Sequence, residues 1–255
     1  MRIGILQDNV THNVEKNFES LVSTLSKQSC ELLVLPELSL CGYLFKDREE
    51  LFRCAETVPT GVSTQRMLNL SKEHSCTIIF GLAEKHNDKV YNTAVIVSKG
   101  KYIGKYRKIH LSDFEKKFFD KGTDNLIFEV DGTKIGVQIC FDLWFPEISR
   151  EQIRLGAELL CVLANFGGET TYHISKIRAV ENLTPLVLCN RIGEESISDM
   201  HVDFLGKSTI LDALGQRLYD APQQQKSFGV CDVVIPQIRS NVICSDFDSE
   251  IAFHY

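Results

Sequence analysis

Three segments of the sequence place a reactive side chain at or near the end of an apolar run. They are LVLPELSLCGY, GKYRKIHL and GVQICFDLWFPE, and they carry Glu37, Lys108 and Cys140. A carboxylate, an ammonium group and a thiol together suffice to cleave an amide or a nitrile through a covalent intermediate. Each residue alone has an ordinary structural explanation, as a loop carboxylate, a solvated basic residue or one more buried cysteine. The combination predicts a hydrolase with a cysteine nucleophile.

The thiol of Cys140 would need help from its neighbours to react. A free cysteine has a pKa of about 8.5, so at neutral pH it requires a base or a nearby cation to become a nucleophile. Glu37 and Lys108 could supply both. Lys108 and the backbone N–H of Phe141 would stabilise the charge that develops on the substrate, and Glu37 would activate the water that hydrolyses the thioester. This chemistry needs no metal or organic cofactor, and the sequence contains no H-x-H or H-E-x-x-H motif for a catalytic metal.

The elements that must position these residues alternate between strands and helices. Short apolar runs rich in Val, Ile and Leu indicate strands. These runs are IGILQ, ELLVLPEL, TIIFGLAE, NTAVIVS, IFEVD, IGVQIC, LLCVLANF, PLVLCNR, KSTILD and FGVCDVVI. Helical spacing predicts helices over 13–29, 60–75, 146–156 and 170–182. Polar turns at HNDK and SKGK predict hairpins between the strands around them, so a purely parallel sheet is not expected.

The composition favours a protein that acts on small molecules. The chain has 255 residues, of which 44% are hydrophobic, and a formal net charge of -6, so it offers no basic surplus for nucleic acid or an anionic membrane. No run approaches the roughly 20 apolar residues that cross a bilayer, and the first residues lack the pattern of a signal peptide. The nine cysteines form no C-x-x-C pair, which disfavours a disulfide framework and favours a reducing cytoplasm. No linker or repeat divides the chain, so a single domain over 1–255 is the simplest interpretation.

The three reactive segments, in this order and spacing, closely resemble the nitrilase superfamily, also called carbon-nitrogen hydrolases. The resemblance covers almost the whole chain, through IGILQ, PELSLCGY, YNTAVIV, KYRKIHL, FEKKFF, CFDLWFPE, AVENLTPLVLCNRIG and FLGKSTILDALG. It implies an α/β fold, an αββα sandwich of two mixed β-sheets flanked by helices, and a homodimer or higher homo-oligomer. The family's roles fall on Glu37 as general base, Lys108 as the cation at the oxyanion and Cys140 as nucleophile. In FEKKFF, Glu115 takes the place of the acid that many members use to hold the lysine or to orient the substrate.

The resemblance narrows the substrate only in part. It implies a small amide, carbamoyl or nitrile substrate, with amide or N-carbamoyl hydrolysis favoured because true nitrile hydrolysis is confined to a minority of the family. Trp144 stands where the dicarboxylate omega-amidases commonly carry an arginine, and a tryptophan there looks more like the carbamoyl-amine hydrolases. The alternative for Trp144 is a core or interface aromatic. The candidate substrate-binding residues are Phe141, Trp144, Asn165, Phe166 and Gly167.

Other hypotheses stay open at this point. The same cleft could hydrolyse nitriles, or it could be a catalytically silent module that binds a small molecule or a partner. A thiol sensor could use the nine cysteines, although no paired resolving cysteine is evident. His110, beside Lys108, could support a Cys-His mechanism, and Glu115 could be a solvated helix residue. The hydrolase hypothesis expects Glu37, Lys108 and Cys140 to converge within a few ångströms in a cleft near the dimer surface.

Overall fold

The computed structural model describes residues 1–26, 28–198 and 200–252 of the chain. The strands are β1 (Arg2–Gln7), β2 (Leu32–Val34), β3 (Thr77–His86), β4 (Lys89–Ser98), β5 (Lys101–Arg107), β6 (Ile127–Val130), β7 (Thr133–Ile139), β8 (Leu159–Leu163), β9 (Leu186–Cys189), β10 (Ile192–Ile197), β11 (Met200–Leu205), β12 (Thr209–Leu211), β13 (Arg217–Asp220) and β14 (Ser227–Asp232). The helices are α1 (Val14–Leu25), α2 (Arg48–Cys54), α3 (Val62–Glu73), α4 (Pro146–Arg154), α5 (Thr170–Asn182) and α6 (Phe247–Ala252). Short 3-10 helices lie at Glu115–Lys117 and Cys140–Trp144.

The strands form two six-stranded mixed sheets and a separate hairpin. The first sheet has the order β14-β1-β2-β3-β4-β5, the second has the order β13-β12-β9-β8-β7-β6, and β10 pairs with β11. β1, β2 and β3 run parallel in the first sheet, as β7, β8 and β9 do in the second, and the outer strands are antiparallel. The hairpins predicted at HNDK and SKGK are the β3–β4 and β4–β5 connections.

Alternating side chains along the strands produce four layers. One core lies between the two sheets and includes Ile5, Val34, Val137 and Leu163. The opposite face of the first sheet packs against α1 and α3, through side chains such as Leu21 and Met67. The opposite face of the second sheet packs in the same way against α4 and α5, through Ile153 and Ala179. This confirms the predicted αββα sandwich of two mixed sheets with helices outside.

The reactive segments all follow strands that point the same way within their sheet. Glu37 lies shortly after β2 and Lys108 directly after β5, and β5 has the direction of β2 because two antiparallel pairings separate it from β3. In the second sheet, Cys140 directly follows β7 and Asn165 follows its parallel neighbour β8. The carboxyl ends of neighbouring parallel strands meet at one edge, where side chains can converge on a cleft.

Several element boundaries differ from the sequence-based expectation. The helix predicted over 13–29 ends at Leu25, and residue 27 lies outside the described residues. The strand predicted through ELLVLPEL stops at Val34, before a proline that has no N–H to donate. The β10–β11 hairpin was not predicted, because β10 carries mostly polar side chains with little apolar alternation. The short helix α2 was not predicted either. No helix in the described ranges is long and apolar enough to span a bilayer.

Candidate active site

Three charged side chains meet in the interior at the carboxyl ends of these strands. The Lys108 ammonium donates to Glu37 Oε1 at 2.7 Å and to Glu115 Oε1 at 2.6 Å, and all three side chains are at most 1% exposed. Burial lowers the pKa of Lys108, but the charges of Glu115 and Glu37 outweigh it and raise that pKa well above its usual value. Lys108 is therefore an ammonium. Burying charged groups costs free energy unless each is paired and hydrogen-bonded. The fold therefore has to keep these three side chains in fixed positions.

Asn92 lies in the middle of the hydrogen-bonded cluster and is not among the site residues predicted from the sequence. Its Nδ2 donates to Glu37 Oε1 at 2.6 Å and to Glu115 Oε1 at 3.3 Å, and its backbone carbonyl accepts from the Lys108 N–H at 2.9 Å. Asn92 thereby fixes both carboxylates and the backbone of the lysine. The sequence clue that could have identified Asn92 is an amide side chain within the mostly apolar run YNTAVIV, which forms a strand buried on both faces.

The surroundings of Glu37 raise its pKa into the range in which a carboxyl group can transfer protons near neutral pH. Desolvation by burial, together with the like charge of Glu115, raises the pKa of Glu37 to about 7 against the lowering effect of Lys108. Its Oε1 is occupied by Lys108 and Asn92, whereas Oε2 is buried and has no hydrogen-bond partner in the described part of the chain. A carboxylate with a pKa near the working pH and one free oxygen suits a general base.

Cys140 lies on a sharp turn at the end of β7. Its φ of 45° is in the left-handed region, which is costly for a residue with a Cβ and is typical of functional turns. The residue is partly exposed, and the backbone N–H of Asn165 lies near enough to its sulfur to lower the pKa of the thiol. Burial and the charge of Glu37 raise the pKa of the Cys140 thiol, and Lys108 lowers it only in part. The thiol therefore holds its proton more firmly than a free cysteine does, and Glu37 and Lys108 are close enough to influence its charge.

Hydrogen bonds to Asp142 connect the turn that carries Cys140 with the segment that carries Lys108. Oδ2 accepts from the Tyr106 hydroxyl at 2.9 Å and from the Ile139 N–H at 3.1 Å. Oδ1 accepts from the His110 N–H at 2.8 Å and lies 3.1 Å from its Nδ1. The His110 ring also stacks on Phe145 with centroids 3.6 Å apart. The described contacts of His110 are thus with this anchor, which favours a structural role over the Cys-His hypothesis.

We expect Asp142→Asn to lower the free energy of unfolding by about 2–4 kcal/mol, because an amide nitrogen would face N–H and O–H donors at a fully buried site. Turnover should fall about 10–100-fold with little change in KM, since both flanking segments would shift. Urea denaturation and steady-state kinetics measure the two effects. Asp113→Asn is the control, because Asp113 is exposed and pairs only with Lys116 on the surface. Unchanged unfolding and kinetics in the Asp142 variant would contradict the anchoring role.

A second buried network holds the loop that follows Glu37. Glu195 accepts from the backbone N–H groups of Tyr43 and Leu44 at 3.0 and 2.7 Å and also contacts Arg191 and His12. Burial would raise the pKa of Glu195, but the hydrogen bond from His12 and the charge of Arg191 lower it to about 2. Desolvation by burial, together with the charge of Glu115, raises the pKa of Tyr43 well above its usual value, so the Tyr43 side chain lies close to the buried cluster. Neither Glu195 nor Tyr43 was selected from the sequence.

The remaining sequence candidates lie around Cys140 in different ways. The Phe141 ring is 5.6 Å from that of Trp144, which is 44% exposed and donates its indole N–H to Thr171 Oγ1 at 3.1 Å. Trp144 is therefore a partly exposed aromatic anchored to α5, without a free donor for a substrate. Phe166 is buried and its backbone is bound by the Asn190 side chain. Gly167 is exposed, and a Cβ there would lie 2.4 Å from the Asp203 carbonyl oxygen.

Comparison with known proteins places this geometry in a family. A family model described as carbon-nitrogen hydrolase matches residues 2–244. A nitrilase of Pyrococcus abyssi is 37% identical over 233 residues, covering 90% of this chain and 87% of the relative. An N-carbamoylputrescine amidase of Solanum lycopersicum is 32% identical over 263 residues, covering 93% of this chain and 87% of the relative. The crystal structure of a carbon-nitrogen hydrolase from Helicobacter pylori G27 superposes with a TM-score of 0.84 at 24% identity, covering 92% of this chain and 89% of that chain, and it supports the fold alone.

Proposed function

Because this chain belongs to the carbon-nitrogen hydrolase family, we propose that it hydrolyses a small amide or N-carbamoyl compound and releases ammonia. The observation that carries this proposal is the buried Glu37–Lys108–Glu115 cluster beside a partly exposed Cys140 on a left-handed turn. A structural ion pair alone would not explain a free carboxylate oxygen on Glu37 next to a thiol. Nitrilases and amidases among the relatives are consistent with cleavage of carbon-nitrogen bonds.

The proposed reaction proceeds in two halves. In the first, Cys140 Sγ adds to the carbonyl carbon as Glu37 takes the thiol proton, and Lys108 with the backbone N–H of Phe141 stabilises the oxyanion. Glu37 returns the proton to the nitrogen, the carbon-nitrogen bond breaks, and ammonia leaves a thioester on Cys140. In the second, Glu37 takes a proton from water, which adds to the thioester carbon, and the acid leaves as the thiol reforms. Glu115 would hold Lys108 in place throughout.

Ammonia release from a panel of primary amides, N-carbamoyl amines and nitriles tests this proposal. We expect saturable release from at least one amide or N-carbamoyl compound and an acyl-enzyme adduct of matching mass in rapidly quenched samples. Preferred release from a nitrile, through a thioimidate on Cys140, would assign the nitrile alternative instead. Binding of panel compounds without turnover of any of them would contradict the enzyme proposal and favour a silent binding module.

The raised pKa of Glu37 predicts a pH dependence for this reaction. Below a pH of about 7 the carboxylate is protonated and cannot act as a base, so we expect kcat/KM to fall about tenfold per pH unit on the acid side. A glutamate with its ordinary pKa of about 4.3 would instead give a plateau down to about pH 5. Initial rates at low substrate concentration between pH 5 and 9 measure the profile. A rate that stays constant from pH 5 to 8 would contradict the assignment of Glu37 as the base.

We also propose that the protein pairs through the helical layer of its second sheet. Apolar side chains on or beside α4 and α5 are 42–63% exposed, namely Leu155, Ile177, Val180 and Leu214. Burying such a patch against a second copy removes it from water. Light scattering should give twice the chain mass of 28.9 kDa, and Ile177→Lys with Val180→Asp should reduce it to one chain. Val62→Lys is the control, because Val62 on α3 is also an exposed apolar residue, at 69%. Nine free cysteines support a reducing, cytoplasmic location for this assembly.

A further inference from the structure

Asn165 is a buried amide whose hydrogen-bonding groups are unused. The residue is 7% exposed, and neither its Nδ2 nor its Oδ1 has a partner among the described residues. Buried amides in folded proteins nearly always make hydrogen bonds, because an unsatisfied donor or acceptor costs free energy. An amide with both groups unpaired therefore requires a specific explanation, and a ligand that supplies the missing partners is one.

The position of Asn165 connects this unused amide to the nucleophile. Ile139 pairs with Leu163 across the parallel strands β7 and β8, so the residues that follow these strands, Cys140 and Asn165, lie close together. The backbone N–H of Asn165 is near enough to the Cys140 sulfur to lower the pKa of the thiol. The chain on both sides of it is fixed, because the Ala164 N–H donates to the Cys189 carbonyl at 2.8 Å and the Phe166 N–H donates to Asn190 Oδ1 at 3.0 Å. The segment consequently cannot shift along the strand to find another partner for the side chain. An atom bonded to Cys140 Sγ would form next to Asn165.

The polar groups around Cys140 that lack partners among the described residues include both hydrogen-bond donors and acceptors. Glu37 Oε2 and Asn165 Oδ1 are unoccupied acceptors. Lys108 uses two of the three N–H donors of an ammonium on Glu37 and Glu115, which leaves one donor, and Asn165 Nδ2 adds others. A matching substrate presents N–H groups to two acceptors and a carbonyl oxygen to the donors. A primary amide carries its two N–H groups on one nitrogen, whereas an N-carbamoyl amine carries N–H groups on both sides of the carbonyl.

We propose that Asn165 and Glu37 Oε2 form a subsite that reads N–H groups on both sides of the scissile carbonyl, and that the substrates are N-carbamoyl amines, R–NH–CO–NH2. This rests on the proposed function. Glu37 Oε2 would accept from the terminal NH2, which leaves as ammonia, and Asn165 Oδ1 from the N–H that joins the carbonyl to R. An alkyl amide has a methylene in place of that second N–H and leaves Asn165 Oδ1 unpaired, and a nitrile offers no N–H at all.

The reaction of such a substrate balances without an additional reactant. Cys140 Sγ bonds to the carbonyl carbon, the bond to the terminal nitrogen breaks, and ammonia carries away the thiol proton. Water then replaces sulfur on the carbon and the thiol regains a proton. The N-substituted carbamic acid that leaves, R–NH–COOH, separates into the amine R–NH2 and carbon dioxide.

Two probes that differ in a single group test the subsite. N-Butylurea and hexanamide have the same length and differ only by NH against CH2 beside the carbonyl. We expect Asn165→Leu to lower the ratio of their kcat/KM values about 10–100-fold relative to native protein, because the side chain that pairs with the N–H is lost. Hydrolysis of p-nitrophenyl acetate, an activated ester without N–H groups, reports any loss that is independent of N–H pairing, and we expect that loss to be smaller than the loss on N-butylurea.

The matched control is Asn182→Leu. Asn182 is likewise a buried asparagine with an unpartnered oxygen, but it lies on α5 and donates to the Arg178 carbonyl. Its replacement should leave the substrate ratio unchanged, whatever it does to stability. Asn165→Asp keeps an acceptor oxygen in nearly the same shape, so it should retain a ratio closer to native than the leucine variant, and it provides the comparison if the leucine variant does not fold.

The outcomes separate this inference from the proposed function. Turnover of hexanamide by native protein with an unchanged ratio in both Asn165 variants would overturn the subsite and leave the amide hydrolase standing. Equal losses on urea, amide and ester would likewise show that Asn165 is only structural. Absence of any Cys140-dependent turnover of the three probes by native protein would instead be a failure of the proposed function itself.

Discussion

Replacement of Cys140 by alanine is expected to lower ammonia release by at least about 10⁴-fold, because the covalent route has no other nucleophile in the cleft. The other thiols are differently placed: Cys161 and Cys189, for example, are fully buried in the core, where burial raises their pKa values. Substrate should still bind, since the charged cluster and Asn165 remain. Steady-state ammonia release and an equilibrium binding measurement on the same variant check both parts of the expectation.

Cys54→Ala is the matched control for this loss. Cys54 is an exposed free cysteine at the end of α2, and its removal should leave turnover unchanged. Thiol labelling offers an independent readout, since one thiol should react in step with loss of activity and a bound substrate should protect it. Turnover that survives in Cys140→Ala, or a loss of activity that follows Cys54 instead, would reject the nucleophile assignment.

The sequence allowed the sandwich and the reactive set to be predicted for a local reason. Glu37, Lys108 and Cys140 each belong to a short segment whose apolar run and turn residues are contiguous, so both the strand and the residue after it could be recognised. The two hairpins before Lys108 were also recognisable, because polar turns interrupt apolar runs. In each of these segments, the sequence pattern that identifies the strand and the residue after it spans only about ten residues.

The residues that complete the site could not be found in this way. Asn92 reaches Glu37 across 55 residues of sequence, and only the register of β4 against β3 brings it there. Glu195 caps the loop after Glu37 from a position 151 residues away, in a mostly polar strand with little apolar alternation. Asp142 stood in a recognised segment, but its role depends on Tyr106 from the opposite sheet. Which residues of the two sheets come into contact depends on how the sheets pack, and a single sequence does not contain that information.

Replacement of Glu37 by glutamine is expected to lower kcat/KM about 10³-fold, because proton transfer from the thiol and from water both lose their base. The remaining activity should also lose its rise with pH near 7, since the group that titrates there is gone. The fold should persist at pH 8, because the buried carboxylate is disfavoured once pH exceeds its raised pKa, and Glu115 still pairs with Lys108. Kinetics from pH 5 to 9 with urea denaturation at pH 8 measure these effects.

Glu115→Gln distinguishes the base from its neighbour. Glu115 contacts Lys108 and the Ser112 N–H, and its charge helps to raise the pKa of Glu37. Removing that charge should therefore shift the rise in kcat/KM to lower pH while preserving it, and the loss of activity should be smaller than for Glu37→Gln. We therefore expect separable roles for the two carboxylates on one lysine, because Glu37 Oε2 has no partner among the described residues whereas both oxygens of Glu115 accept hydrogen bonds. Identical pH profiles in both variants would contradict that division.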